Sequence, residues 1–167
     1  ADLGLDATGA VTVCGSTGST DFPTTPGAFD TTHNGGFDAF VTRLDPTGSA
    51  LIYSTYLGGS DGEGARGIAL DASGAATVGG GTSSSDFPTT AGGYDTSYNG
   101  NYDAFVARLS VTGSALVYST YLGGSDADYA ADIALGADRT ATLCGATTST
   151  DLPTTAGAFD ATFNGVG

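Results

Sequence analysis

Asp21, Asp30, Asn34 and Asp38 lie on one glycine- and threonine-rich stretch, and the same residues return 65 positions later as Asp86, Asp95, Asn99 and Asp103. A third copy begins with Asp151, Asp160 and Asn164. Carboxylate and amide oxygens gathered on a loop are what Ca²⁺ coordinates. A shorter acidic loop repeats as well, Asp61 with Glu63 and Asp126 with Asp128, and supplies further calcium candidates. None of these sets has the spacing of an EF-hand loop. The competing use is structural: short Asp and Asn side chains accept hydrogen bonds from nearby backbone amides and hold an irregular segment without secondary structure. That use is the favoured reading, with calcium kept as the metal alternative.

Two catalytic-looking patterns share one place. Gly58-Gly59-Ser60-Asp61-Gly62 has nucleophile-elbow spacing, and Gly62-Glu63-Gly64-Ala65-Arg66-Gly67 has the spacing of a dinucleotide fingerprint. Each needs a strand-to-helix turn, yet Gly67 leads into the strand-like "IALD" and the next copy keeps neither pattern. His33 is the only histidine, and its equivalents are Tyr98 and Phe163, so that position asks for a flat ring rather than a base. With no Lys and no second His, no catalytic or cofactor-binding residue is assigned, and the chain reads as a non-enzyme.

The elements that position these residues follow from the repeat. Asp21, Asp86 and Asp151 keep a period of 65 without insertion, and residues 37–65 match 102–130 at 21 of 29 positions. Each period offers four strand-like runs: "GIALD", "AATVGGGT", "DAFVARL" and "ALVYSTYL" in their second appearance. Asp6-Ala7-Thr8-Gly9 and Asp71-Ala72-Ser73-Gly74 carry hairpin chemistry, an early Asp and a late Gly. The links at residues 45–49 and 110–114 read the same way. A period is thus two hairpins, a four-stranded antiparallel unit. Pro23, Pro88 and Pro153 stiffen the long segment between the hairpins, with Phe22, Phe87 and Leu152 as plugs and Phe29, Tyr94 and Phe159 as a second ring set.

The 167 residues include 28 Gly, 18 acidic residues and 4 Arg, for a net charge of −14. Such a chain disfavours long helices and the phosphates of nucleic acids or anionic membranes. It has no initiating Met and no charged-then-apolar leader, so it reads as a processed secreted protein or an excerpt. Cys14 and Cys144 sit in the same phase of the repeat, two periods apart, which argues against an internal disulfide.

Four-stranded units at a fixed period stack face to face as propeller blades, so the fold class is all-β with propeller-type repeats; an open stacked-sheet or β-solenoid fibre is the alternative. The run "DAFVTRLDPTGSALIYSTYLGGSD" followed by "GIALDASGAATVGGGTSSSDFPTT" resembles the SBBP repeat, a β-propeller repeat of large bacterial and archaeal surface proteins. The resemblance implies a propeller scaffold, secreted or at the cell surface, with no activity to carry over to particular residues. The organisation is a partial repeat over residues 1–37 and full periods over 38–102 and 103–167. With one half-unit in excess, this array is not expected to close a regular propeller. The expected function is a structural or adhesive scaffold, a subunit or segment of a surface assembly or filament. Its partners are other copies, or neighbouring repeats, through unpaired half-blades. The alternative is a calcium-stabilised, lectin-like glycan binder.

Overall fold

The computed structural model describes residues 1–165. Val166 and Gly167, the end of the span expected to run over residues 103–167, lie outside the described residues. Turn chemistry sets the strands. Asp6 Oδ1 accepts the Thr8 amide at 2.7 Å and the Ala10 amide at 3.1 Å, and Gly9 closes the hairpin at φ +86°. Asp71 and Gly74 repeat this with the Ser73 and Ala75 amides. In the third copy Gly136 replaces the Asp, and Arg139 takes the glycine place with φ +70°, a conformation costly for a side chain with a Cβ. Its Nε lies 3.4 Å from Asp71 Oδ2 of the preceding unit.

The strands are β1 (Asp2–Leu5), β2 (Val11–Thr17), β3 (Asp38–Leu44), β4 (Leu51–Leu57), β5 (Glu63–Leu70), β6 (Ala76–Thr82), β7 (Asp103–Leu109), β8 (Leu116–Leu122), β9 (Asp128–Leu135) and β10 (Ala141–Thr147). They form antiparallel sheets β1-β2-β3-β4 and β5-β6-β7-β8 and a two-stranded sheet of β9 and β10, with no helix among the described residues. The expected all-β fold and four-stranded unit are both present. Among the described residues no sheet closes on itself.

The sheets stack in chain order. β5 lies against β1, β2 and β3, and β9 lies against β5, β6 and β7. The middle sheet is therefore covered on both faces, and every residue of β6 and β7 is buried. Its small residues set the spacing: a Cβ on Gly79 would come within 3.3 Å of Ala130 and Leu143 of the next sheet. Val41, Leu57, Val78, Phe105 and Leu109 fill the core. Arg43 and Arg108, on β3 and β7, pair with Asp6 and Asp71 under the hairpin turns, with at most 10% of either side chain of each pair exposed.

The long segment between the hairpins lies along the outer strand of its own sheet. Thr25 N donates to Ser54 O, Asp30 N to Thr55 Oγ1 and Tyr56 N to Asp30 O, each at 2.8–3.0 Å. Thr90 and Asp95 repeat the set on β8. These bonds occupy the free edge that would otherwise be open to pairing. The plug residues behave as expected: the Phe22 ring sits 4.6 Å from Phe40, and Phe87 sits 4.5 Å from Phe105. His33 and Tyr98 pack edge-on against Tyr56 and Tyr121, which fits a position selected for a flat ring.

Tyr121 is 1% exposed, and its hydroxyl donates to Ser84 O at 2.9 Å, fastening the segment to the sheet. Tyr121→Ala is expected to cost about 3–5 kcal/mol through lost ring packing. Tyr121→Phe should cost about 1 kcal/mol for the lost hydrogen bond. Urea denaturation measures both; equal losses would show that the hydroxyl, not the ring, carries the anchoring.

Candidate functional site

The residues that recur in register converge where one sheet passes to the next. Glu63 opens β5 and turns its carboxylate inward at 3% exposure. Its Oε2 accepts the Gly59 amide at 2.8 Å, and its Oε1 accepts the Thr82 hydroxyl at 2.7 Å and the Ser84 hydroxyl at 2.5 Å. The loop before it is held from the same side. Ser60 N and Oγ donate to Asp86 Oδ1 at 2.8 and 3.0 Å, and Asp61 N donates to Ser84 Oγ at 2.8 Å. From the preceding unit, Gly36 N donates to Asp61 O, and Phe37 O accepts Glu63 N, both at 2.7 Å.

The next joint copies this one. Gly124 N and Ser149 Oγ each donate to Asp128 Oδ2 at 2.7 Å, and Ser125 N donates to Asp151 Oδ1 at 2.8 Å. Asp128 is one methylene shorter than Glu63, and its Oδ1 is buried with no partner. Backbone bonds from the Ser60 and Ser125 amides hold the Asp86 and Asp151 carboxyls below the usual range.

The twelve sequence candidates separate into three environments. Asp30 and Asp95 sit on the long segment: Asp30 Oδ1 accepts Thr32 N and its Oδ2 accepts Asn34 Nδ2 at 2.6 Å, and Asp95 repeats the pattern with Ser97 and Asn99. Asn34 N and Asn99 N then donate to Asp38 and Asp103 Oδ2 at 2.8 Å. The asparagines thus present N–H groups, not oxygens, to the neighbouring carboxylates. Asp86 is a joint residue, while its equivalent Asp21 is exposed and makes neither serine bond. Asp61 and Asp126 are exposed in the loops before β5 and β9, whereas Glu63 and Asp128, two residues on, are buried. Among the described residues, no three His, Cys, Asp or Glu side chains are grouped so as to hold a metal ion.

What the structure does bring together is a pair that the linear order separates. A Cβ on Gly58 would stand 2.7 Å from Asp38 Oδ1 and 2.5 Å from Glu63 Oε2; Gly123 sits in the same way between Asp103 and Asp128. Both members of each pair are at most 3% exposed. Asp38 Oδ1 is buried and unpartnered. Burial pushes the Asp103 carboxyl up, and the charge of Asp128 pushes it further, against the opposing amides of Asn99 and Gly100. The hydroxyls of Thr82, Ser84, Thr147 and Ser149 had no assigned role from the sequence. Their signal was available, since Thr17 and Ser19 hold the same phase one period earlier. Cys14 and Cys144 are both free; Cys14 is buried, which pushes its thiol up to about 11, and Cys144 is exposed.

No protein-family model matches the chain, and no curated protein matches it.

The two kinds of carboxylate act on stability with opposite signs. The Thr8 hydroxyl, then the amides of Thr8 and Ala10 and the Arg43 guanidinium, hold Asp6 at about 2 against the cost of burial. Its contribution is present above the unfolded value of about 4 and is lost as pH falls through about 2. Asp103 is raised, so its contribution is present below about 4 and is lost as pH rises through its folded value. Thermal melting is expected to fall off on both sides of a maximum. Asp103→Asn should flatten the decline on the rising-pH side and leave the acid side unchanged; an unaltered profile would remove the buried pair from the account.

Proposed function

We propose that the chain is a non-catalytic structural repeat module, an SBBP-like β-propeller-type scaffold that works outside the cell or at its surface as a segment of an assembly or filament. One observation carries the reading: Ser60, Glu63, Ser84 and Asp86, and their counterparts Ser125, Asp128, Ser149 and Asp151 one period on, are spent on fastening each sheet to the next. A binding or catalytic site needs side chains left free to meet a ligand, whereas these serines, aspartates and Glu63 meet one another. The acidic, lysine-free composition and the stacking of repeated sheets support the same reading.

The glycan-binding alternative draws on exposed rings, Tyr94 at 69% and Phe159 at 107%. Their equivalent Phe29 packs against the core, and its amide donates to Gly113 O in a turn of the following sheet at 2.8 Å. Ring exposure therefore tracks the lack of a following turn among the described residues, and a sugar is not required to explain it. Thermal melting with calcium and with chelator, beside a glycan array, tests the choice. The scaffold reading expects an unchanged melting temperature and no array signal. A calcium-dependent rise together with glycan binding would replace it with the lectin-like reading.

A further inference from the structure

The two-stranded sheet of β9 and β10 has the same first half as its four-stranded neighbours. In those sheets the second strand pairs with a third: β2 with β3 and β6 with β7. Among the described residues β10 pairs with β9 alone. We propose that the β10 edge is a receptor slot for a β-hairpin carrying the repeat's own third- and fourth-strand sequence, the Asp-Ala-Phe-Val to Tyr-Ser-Thr-Tyr-Leu hairpin seen in β7 and β8.

Three features beyond the bare edge match that occupant. The first is a pocket. In the complete units the phenylalanine of the third strand lies over a glycine of the second and against the plug ring: a Cβ on Gly15 would come 2.9 Å from the Phe40 ring, and Phe40 packs on Phe22. Gly145 and Leu152 are the equivalents of Gly15 and Phe22, and together with Ala130, Leu143 and Cys144 they line an open pocket of about 200 Å³. A phenylalanine arriving on a strand paired with β10 enters it by the same register.

The second feature is a waiting outer rail. Thr25 and Thr90 bond the fourth strand of their own units, and so do Asp30 and Asp95. Thr155 and Asp160 hold the same phase of the third segment and are exposed. Asp160 keeps its local turn, accepting Thr162 N at 2.9 Å and Asn164 Nδ2 at 2.7 Å, so the rail is shaped without the strand it would cover. The slot lies between this rail and β10, wide enough in the sister units for two strands.

The third is a platform for the hairpin's turn. Tyr53 on β4 is 1% exposed because the β7–β8 turn covers it; a Cβ on Gly113 would stand 2.3 Å from its ring. Tyr118, its equivalent on β8, is only half-buried, and Tyr94 beside the same sheet is exposed. The turn of an inserted hairpin reaches both. An edge strand, an apolar pocket, a second edge and a turn platform thus converge on one object, and the slot continues an interface the chain already makes between its first two sheets. The proposal rests on the scaffold reading only for its purpose. Calcium or glycan binding would overturn that reading and leave the slot untouched, whereas an empty slot would leave the scaffold reading standing.

The test uses the whole chain and a soluble synthetic peptide of residues 103–122. The readout is the thiol reactivity of Cys144 on β10, with buried Cys14 as internal reference. The peptide is expected to bind one to one, to protect Cys144 from a maleimide reagent, and to slow amide exchange in β10 and around residues 155–160. A peptide with Phe105→Asp should bind about tenfold more weakly or worse, and so should the chain with Leu152→Asp. Leu3→Asp, on the exposed face of the first sheet, should leave binding unchanged. No binding, equal binding of a scrambled peptide, or protection elsewhere than β10 would overturn the proposal. Concentration-dependent self-association that shields Cys144 without peptide would also overturn it, by assigning the edge to a second copy of the chain.

Discussion

A β-sheet built of small and apolar residues on both faces is stable only when both faces are covered, and every other feature of this chain follows from that requirement. The middle sheet meets it, with β6 and β7 buried along their whole length between the first sheet and β9. Close approach needs small residues at the contacts, as at Gly79 against Ala130 and Leu143. The tie between sheets is made at the strand ends. There, short hydroxyl and carboxylate groups reach the backbone of the passing loop, and Glu63 or Asp128 sits at the centre of each joint. The cost is a pair of buried acids on either side of a glycine, which makes the joint sensitive to the protonation of Asp103.

Edges are the second demand of any open sheet. The proline-stiffened segment answers it by lying on β4 and β8 as a non-strand rail, through the Thr25 and Asp30 bonds and their repeats. This gives the thrice-repeated stretch a structural meaning: its aspartates shape a rail, Phe22 and Phe87 plug the sheet end, and in the second and third copies its serine and first aspartate, Ser84 with Asp86 and Ser149 with Asp151, fasten the joint. Where the fourth strand is lacking among the described residues, the same rail stands exposed over residues 155–162. The described residues therefore hold two four-stranded examples of the unit beside a two-stranded one.

Much of this was legible in the sequence because the repeat printed it twice. Strand positions, both hairpin turns, the plugging role of Phe22 and Phe87 and the flat-ring demand at His33 could be read from which substitutions the copies tolerate. The pairing of Asp38 with Glu63 could not, because it depends on how far one sheet is rotated against the next, and period alone does not fix that. The same limit hid the joint. Asp61 and Glu63 sit two residues apart, yet the first is exposed in the loop before β5 and the second opens the strand with its carboxylate buried. Gly136 and Arg139 break the Asp-to-Gly turn pattern, yet the hairpin persists with Arg139 held at φ +70°.

If coverage of both faces is what holds each sheet, amide hydrogen exchange resolved by strand must follow it. The account predicts the slowest exchange in β6 and β7, intermediate exchange in β2 and β3, and the fastest in β10, despite its residues matching those of β2 and β6. Equal protection of β10 and β6 in the free chain would contradict it, because strand pairing would then suffice without the neighbouring sheet.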